Sequence, residues 1–491
     1  MADRRLVLAG TNNWGQCLLP GTESIGVPTV APLGWLPDDR RAVRFAAGSG
    51  FALLADDVGR LWAAGHNIYG QLGRGHTNGD AIDDICIPRL VAGIGGVRIT
   101  QIAAGYGHCA AVTEAGKLLT WGWNGCGQCG TGTAGHAVLA ARHYATGVLA
   151  DGDVRVAFAA CGFDHTVAVT TDGGVVVLGE NSGGQLGTGN GDRQLVSVLL
   201  ACTALDGVTI VGCAAGANFT YLLSDGGRVF AMGDNDRGQL GTGDTDEVNT
   251  PTEIDAARFG GIPVAVVVCG FEHVLAITAE GKLYACGRGD EGATGLGHTN
   301  CVTTPQPVVG ALADARVVRI ATGLHHSCAL AEDGRVFAFG DGGGVPAAGA
   351  QGIPQLLQDA LAGTTVCALG VGCGAQNSAF VVGTPPDEPG FETLLTFEMR
   401  KPAAKEPDPL AVAAVLAQGT KRKRDANGGV DDDDDDDDSE REREESLLRG
   451  GASGRANPGQ WSVSTSDDDE DEGAAGCTPG DGDGSEVVPL C

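Results

Sequence analysis

Apolar and polar residues alternate along this chain in short runs, and the runs return at long intervals. In the stretch from Ala103 to Gly132, Ala110 and Val112 fall on one face of a run from His108 to Thr113. That is the period-two mark of a half-buried strand. A reversal follows at Ala115-Gly116, where glycine supplies the positive φ that a tight turn needs. A second strand then runs from Lys117 to Trp121, and a polar loop holding Asn124, Gly127, Gln128 and Gly130 ends the unit.

The unit recurs around Gly48, Gly105, Gly162, Gly216, Gly270, Gly323 and Gly374, a spacing of 51 to 57 residues, which is the range of propellers and solenoids. Its second half reads GRLWAAG at Gly59, GKLLTWG at Gly116, GVVVLG at Gly174, GRVFAMG at Gly227, GKLYACG at Gly281 and GRVFAFG at Gly334. The first half around Asn377 to Val382 has no second half after it. The missing piece stands at the other end of the chain, Arg5 to Gly10, followed by a loop marked by Asn13, Gly15 and Gln16. The first strand is therefore expected to complete the last unit and close a ring, removing exposed sheet edges. Thr11 to Ala47, with four prolines, reads as a linker into the first complete blade.

These repeats resemble the regulator of chromosome condensation family over roughly Arg4 to Gly383, most specifically in the GQLGTG loops at Gly184 and Gly238. The resemblance implies an all-β fold, a seven-bladed β-propeller closed by the N-terminal strand, over residues 1–383. The loop at Gly292 to Gly297 departs from the GQLG pattern, and the loop after Gly340 has lost it.

Residues 384–491 are a different kind of sequence, expected to form a disordered acidic C-terminal tail. The net charge of −30 is divided unevenly: the tail carries 28 acidic and 11 basic residues, leaving 34 acidic against 21 basic before it. So acidic a propeller is a poor polyanion binder, and direct nucleic-acid binding is not expected. Most of the 16 cysteines stand where sister copies have Ala, Val or Leu and read as small core residues. Cys126 and Cys129 form a CxxC, but Cys129 replaces a loop leucine and no second pair accompanies it, so it reads as structural. No signal peptide and no run approaching the roughly 18 apolar residues of a membrane span is read. A nuclear or cytoplasmic monomer is expected, with the nucleus favoured.

Candidate residues for chemistry are few. His108, His165, His273 and His326 occupy one place in four copies, filled by Phe51, Phe219 and Asn377 in the others, so they read as structural rather than as metal ligands. The GTG strings lack the following helix and Lys-Ser/Thr pair of a phosphate loop. No catalytic residue, cofactor site or metal site is assigned. Variable segments after the GQLG loops project from a face of the scaffold, which makes Asp192, Arg193, Asp244, Asp246 and Glu247 candidate partner contacts. In the tail, Leu410 to Ala417 reads as a short helix and Lys421, Arg422, Lys423 and Arg424 as a nuclear localisation signal. Asp431 to Asp438 reads as a solubilising brush or a polyanion mimic toward basic partners. Ser439, Ser464 and Ser466, beside acidic blocks, are candidate phosphorylation sites.

Two functions follow from the resemblance. The first is a non-enzymatic scaffold that binds a protein partner, chromatin- or GTPase-associated, through its face loops. The second is a guanine-nucleotide exchange factor for a small Ran-like GTPase. Exchange in this family implies a wedge inserted in the propeller and basic chromatin contacts, and neither is visible here. The anchor loops GYGH, GFDH, GFEH and GLHH lack the Trp of the ultraviolet-sensing relatives. The tail is too short and polar for a ubiquitin-ligase domain.

Overall fold

Strands of five or six residues joined by glycine turns pair most readily with their neighbours in the chain, and this is how the sheets are built. A computed structural model describes residues 5–13, 16–18, 25–30, 34–37, 40–77, 86–143, 146–150, 152–342, 352–357, 367–373 and 377–383. The chain divides into two units, Met1–Asp408 and Pro409–Cys491. The second lies wholly outside the described residues, and with it the short helix, the basic cluster, the aspartate run and the three serines.

The first unit is an all-β propeller. Six blades are each made of four consecutive antiparallel strands. The first blade comprises Ala42–Ala47, Phe51–Asp56, Leu61–Gly65 and Arg89–Leu90, and the second Ile99–Ala104, His108–Thr113, Leu118–Gly122 and Val138–Arg142. The third comprises Val156–Cys161, His165–Thr170, Val175–Gly179 and Gln194–Leu199, and the fourth Ile210–Ala215, Phe219–Ser224, Val229–Gly233 and Val248–Ile254. The fifth comprises Val264–Cys269, His273–Thr278, Leu283–Gly287 and Val302–Pro307, and the sixth Val317–Thr322, His326–Ala331, Val336–Gly340 and Gln355–Leu356.

A further four-stranded sheet is composite, joining the two ends of the repeat region in the order Ile25–Val30, Arg5–Gly10, Asn377–Gly383, Cys367–Cys373. The first strand pairs with Asn377–Gly383 in antiparallel register from Arg5 opposite Val382 to Gly10 opposite Asn377. Where the sequence predicts seven like units, the structure thus has six blades of one make and this sheet of another. The innermost strands lie side by side in chain order, and Cys367–Cys373 lies against both Val317–Thr322 and Ala42–Ala47.

Three details differ from the sequence reading. Thr11 to Ala47 is more than a linker, since it contributes the outer strand Ile25–Val30 and the inner strand Ala42–Ala47. The loop asparagine of the N-terminal copy is Asn12, not Asn13: Asn12 Oδ1 accepts from the Cys17 N–H at 2.8 Å. The second strand of each complete blade is buried throughout rather than on one face. The reason is stacking. Cys109 and Ala111 pack into the core shared with the first blade, while Ala110 and Val112 pack into the core shared with the third. Both faces of an interior strand are therefore dry.

The glycine that ends each third strand is required by close approach. Gly179 has φ 107°, and a Cβ there would stand 2.4 Å from the Asp164 carbonyl oxygen. Prolines 251 and 305 lie in outer strands, where a missing N–H costs no ladder bond.

Candidate functional site

Each inner strand is followed by a glycine that opens the turn into the second strand, and six of these turns meet at one mouth of the central channel. The depression there is open to solvent, with a volume of about 100 Å³, and is lined by residues from Ala47–Ser49 round to Thr322–Leu324. Backbone bonds knit the turns together across blades: Ser49 N–H to Tyr106 O at 3.3 Å, Phe163 N–H to Ala217 O at 3.1 Å, and Ala217 N–H to Phe271 O at 3.0 Å. The residue after each glycine faces the depression, and three of them are aromatic.

Tyr106 and Phe163 have ring centroids 4.4 Å apart. Phe163 reaches Phe271 at 5.2 Å, over the small Ala217 of the blade between them. Phe271 stands 6.0 Å from His325. Beside them Tyr69 and Trp123 pack at 4.9 Å, both against Gly107, where a Cβ would meet Tyr69 Cδ2 at 2.9 Å. Tyr106 is 43% exposed; Phe163 and Phe271 are half-buried. Sequence reading missed this series, because each ring looked like one variable residue in an anchor loop.

Below the mouth, three of the four histidines prove to be links between blades. His108 Nε2 lies 2.9 Å from Thr166 Oγ1, His165 Nε2 3.0 Å from Thr220 Oγ1, and His273 Nε2 2.9 Å from Ser327 Oγ. Each hydroxyl in turn donates to a GQLG-type loop carbonyl: Thr166 to Gln128 O, Thr220 to Gln185 O, Ser327 to Ala293 O. Having spent its proton there, the hydroxyl accepts from the imidazole, which fixes an Nε2–H tautomer. Burial pushes His165 down to about 3, with His108 adding to the effect, and His273 to about 3. Burial likewise pushes His108 down to about 4, against the carbonyls of His165 and Phe163.

A signal for this was present. Where the preceding copy has His, the next has Thr or Ser one residue later; where it has Phe51 or Phe219, the next has Cys109 or Val274. Those apolar pairs share cores.

The loops leaving the third strands rise on the same face. Asn181 Oδ1 accepts from Leu186 N–H at 2.8 Å and Gln185 Oε1 from Gly183 N–H at 3.0 Å, and Asn235 and Gln239 repeat both bonds. The Asn and Gln of the motif are thus loop builders. In the fifth blade Thr294 replaces the leucine, and its buried Oγ1 finds no partner.

This face is acidic. Asp164 is held by Gln128 Nε2 at 2.7 Å. Burial first and Glu180 second raise its pKa, opposed by the Gln128 and Trp123 donors. Asp234 is raised likewise, by burial and then by Asp236, Glu247 and Glu272, against a bond from Asn218. Arg288 is shared by Glu272, Asp290 and Glu291 at 3.0 to 3.1 Å, and Arg193 lies 3.5 Å from Glu180. Among the described residues, neither Asp164 nor Asp234 has a cationic partner. On the opposite face arginines are paired, as Arg228 with Glu253 and Arg335 with Asp333.

The structure brings the candidate loop residues to the mouth's face. Arg193 is tied to Glu180, and Asp244 organises its own turn by accepting from Thr242 Oγ1 at 2.7 Å. Asp192, Asp246 and Glu247 crown the same loops, with Asp192 and Asp246 exposed. Cys126 and Cys129 are free thiols. Cys129 is buried in the leucine place, and burial first, then Glu180, pushes Cys126 up to about 12. Among the described residues, no group of three His, Cys, Asp or Glu side chains could hold a metal ion.

Comparison with known proteins agrees with this architecture. A family model described as RCC1-like domain matches residues 5–380. The human E3 ubiquitin-protein ligase HERC2 is 31% identical over 336 residues, 68% of this chain and 7% of that protein. The Arabidopsis thaliana Ultraviolet-B receptor UVR8 is 30% identical over 306 residues, 62% of this chain and 66% of its own. The Mus musculus X-linked retinitis pigmentosa GTPase regulator is 36% identical over 291 residues, 49% of this chain and 28% of its own. The chain thus spans less than two thirds of the length of each of these relatives. Among solved structures, Prp20p from Saccharomyces cerevisiae gives a TM-score of 0.66 at 21% identity, covering 78% of this chain and 92% of that one. Human WBSCR16 gives 0.63 at 22%, covering 77% and 98%. With the repeats, the blades and a family model spanning most of the sequence in agreement, the chain belongs to the RCC1-like domain family.

Proposed function

We propose that this chain is a non-enzymatic interaction scaffold: a seven-bladed propeller closed by its N-terminal strand, residues 1–383, that binds a protein partner on the mouth-bearing face. The observation that carries the reading is the row of half-exposed aromatic rings on a hydrogen-bonded belt of turns. Rings held open to solvent by a rigid frame offer large contact area at little entropic cost, the usual make of a binding hot spot. The acidic tail from residue 384 is the regulatory part, with Lys421–Arg424 directing nuclear import and Ser439, Ser464 and Ser466 as phosphorylation sites. The partner is a chromatin- or GTPase-associated protein, and the scaffold is a monomer.

A second reading is an exchange factor for a small Ran-like GTPase. It is favoured by the fold shared with Prp20p, whose structure is described together with its binding to Gsp1p and histones. An exchange factor would open the nucleotide site by contact. Release of a fluorescent GDP analogue from small GTPases separates the two readings. The scaffold reading requires release rates unchanged by the full-length protein, together with affinity capture of a partner that is lost when Tyr106 or Asp246 is substituted. Accelerated release, abolished by the same substitutions, would replace it with the exchange reading.

A further inference from the structure

The mouth offers three things together: a depression lined by small residues, aromatic residues in that lining, and acids next along the turns that form it. In the chain Phe163 is followed by Asp164 and Phe271 by Glu272, so an acid on the same face follows each of these rings. Asp164 is oriented by Gln128 at 2.7 Å and lacks a cationic partner among the described residues. The nearby arginines do not fill that vacancy, because Arg288 already serves three carboxylates and Arg193 faces Glu180.

Resting on the scaffold reading above, we infer that the mouth is a docking site for a cationic peptide segment of the partner. An Arg or Lys side chain of the segment lies across the rings of Tyr106, Phe163 and Phe271, with its charge against Asp164. The chemistry argues for this occupant on two grounds. A cation over an aromatic face is attracted by the ring quadrupole, more so when partly desolvated. The carboxylates on this face complement it and repel the alternatives, since phosphate, nucleic acid or an acidic peptide would meet like charge. The long aliphatic stem of Arg or Lys also suits a depression floored by glycine and alanine. Burial already disfavours the charged form of Asp164 and of Asp234, and an arriving cation would relieve that cost at the moment of binding.

The test uses the full-length protein and a fluorescein-labelled peptide carrying three arginines among Ser, Gly and Leu, against the same peptide with neutral citrulline in place of arginine. Anisotropy is read at about 0.15 M salt, where exposed charges more than roughly 8 Å apart are screened. The arginine peptide is expected to bind at least about tenfold more tightly. Tyr106→Ala and Asp164→Asn should each reduce its affinity by about five- to tenfold, in line with one cation–π contact or one partly buried charge pair. Thermal melting accompanies each variant, and Tyr106→Ala, at an exposed ring, keeps the test valid if Asp164→Asn unfolds. Replacing Asp431–Asp438 by asparagine should leave the arginine preference in place. Equal binding of the two peptides would overturn the inference. So would a preference that survives both mouth substitutions but vanishes with the aspartates, which would place it on the tail. A partner captured through the Asp246 loop without any arginine preference would leave the scaffold standing and remove this inference alone.

Discussion

Lowering the pH from 7.5 to 5 should destabilise the propeller through the histidines between its blades. In the folded protein His108 is held at about 4 and His165 and His273 at about 3, chiefly by burial. An unfolded histidine takes its proton near pH 6.5. Between those values the unfolded chain binds protons that the native one refuses. Stability is therefore full above pH 6.5 and falls as pH drops toward the folded values. At pH 5 each histidine contributes a loss of about 2 kcal/mol, and three together about 6 kcal/mol. With an unfolding entropy near 2 cal/mol/K per residue, a propeller of this size should lose roughly 8 °C of melting midpoint.

The assay is thermal unfolding by circular dichroism at pH 7.5, 6 and 5. His165→Phe is the control, because Phe219 already fills the same place in the next blade and the ring volume is accommodated there. In that variant the pH-dependent loss should shrink by about a third. A midpoint unchanged from pH 7.5 to 5, or a His165→Phe protein with the wild-type pH dependence, would refute the account.

Thr220→Val should cost about 1–3 kcal/mol, because the His165 imidazole and the Gln185 carbonyl both lose a buried partner. The double variant His165→Phe/Thr220→Val, which copies the Phe219 and Val274 pair, should cost less than the sum of its parts in a double-mutant cycle of denaturant midpoints. Deleting Met1–Gly10 should give an insoluble or strongly destabilised protein. It removes the strand between Ile25–Val30 and Asn377–Gly383 and the fully buried Leu8, worth about 2–5 kcal/mol by itself; a soluble deletion with unchanged melting would count against the composite sheet. Ending the chain after Gly383 should leave the melting midpoint nearly unchanged, and a large fall would show that the tail docks. Replacing Lys421, Arg422, Lys423 and Arg424 by alanine should move a fluorescent fusion out of the nucleus, and an unchanged nuclear signal would assign import to something else.

What could be read from the sequence was whatever each copy repeats by itself. The second and third strands of the blades show because alternating apolar residues and a turn glycine lie close together, as in His108–Thr113 and Leu118–Gly122. The pairing of Arg5–Gly10 with the far end could be inferred because one half-unit was missing its other half. The outer strands were marked only by a proline before a further strand, as at Pro88, Pro251 and Pro305, and their bounds were hidden. Gln194–Leu199 is partly exposed along most of its length and Arg89–Leu90 is two residues long, so neither carries an alternation to detect. Ile25–Val30 hid the same way among prolines. The mouth was illegible for a different reason: Phe163 and Phe271 are 108 positions apart and meet because the ring turns them inward over Ala217. Proximity of that kind belongs to the closed shape. The histidine links stood between the two cases, since their signal is an offset of one residue between consecutive copies.

The composite sheet also has a consequence in time. Arg5–Gly10 leaves the ribosome about 370 residues before Asn377–Gly383, the strand it pairs with, an interval of roughly 20 to 75 s at ordinary elongation rates. The six consecutive-strand blades can form as they emerge, each on the one before. Through all of that interval the first strand waits with its inner-side N–H and C=O groups unmatched, beside the growing stack. Synthesis therefore carries an open edge at Arg5–Gly10 until Asn377–Gly383 arrives, and the nascent chain needs shelter there throughout.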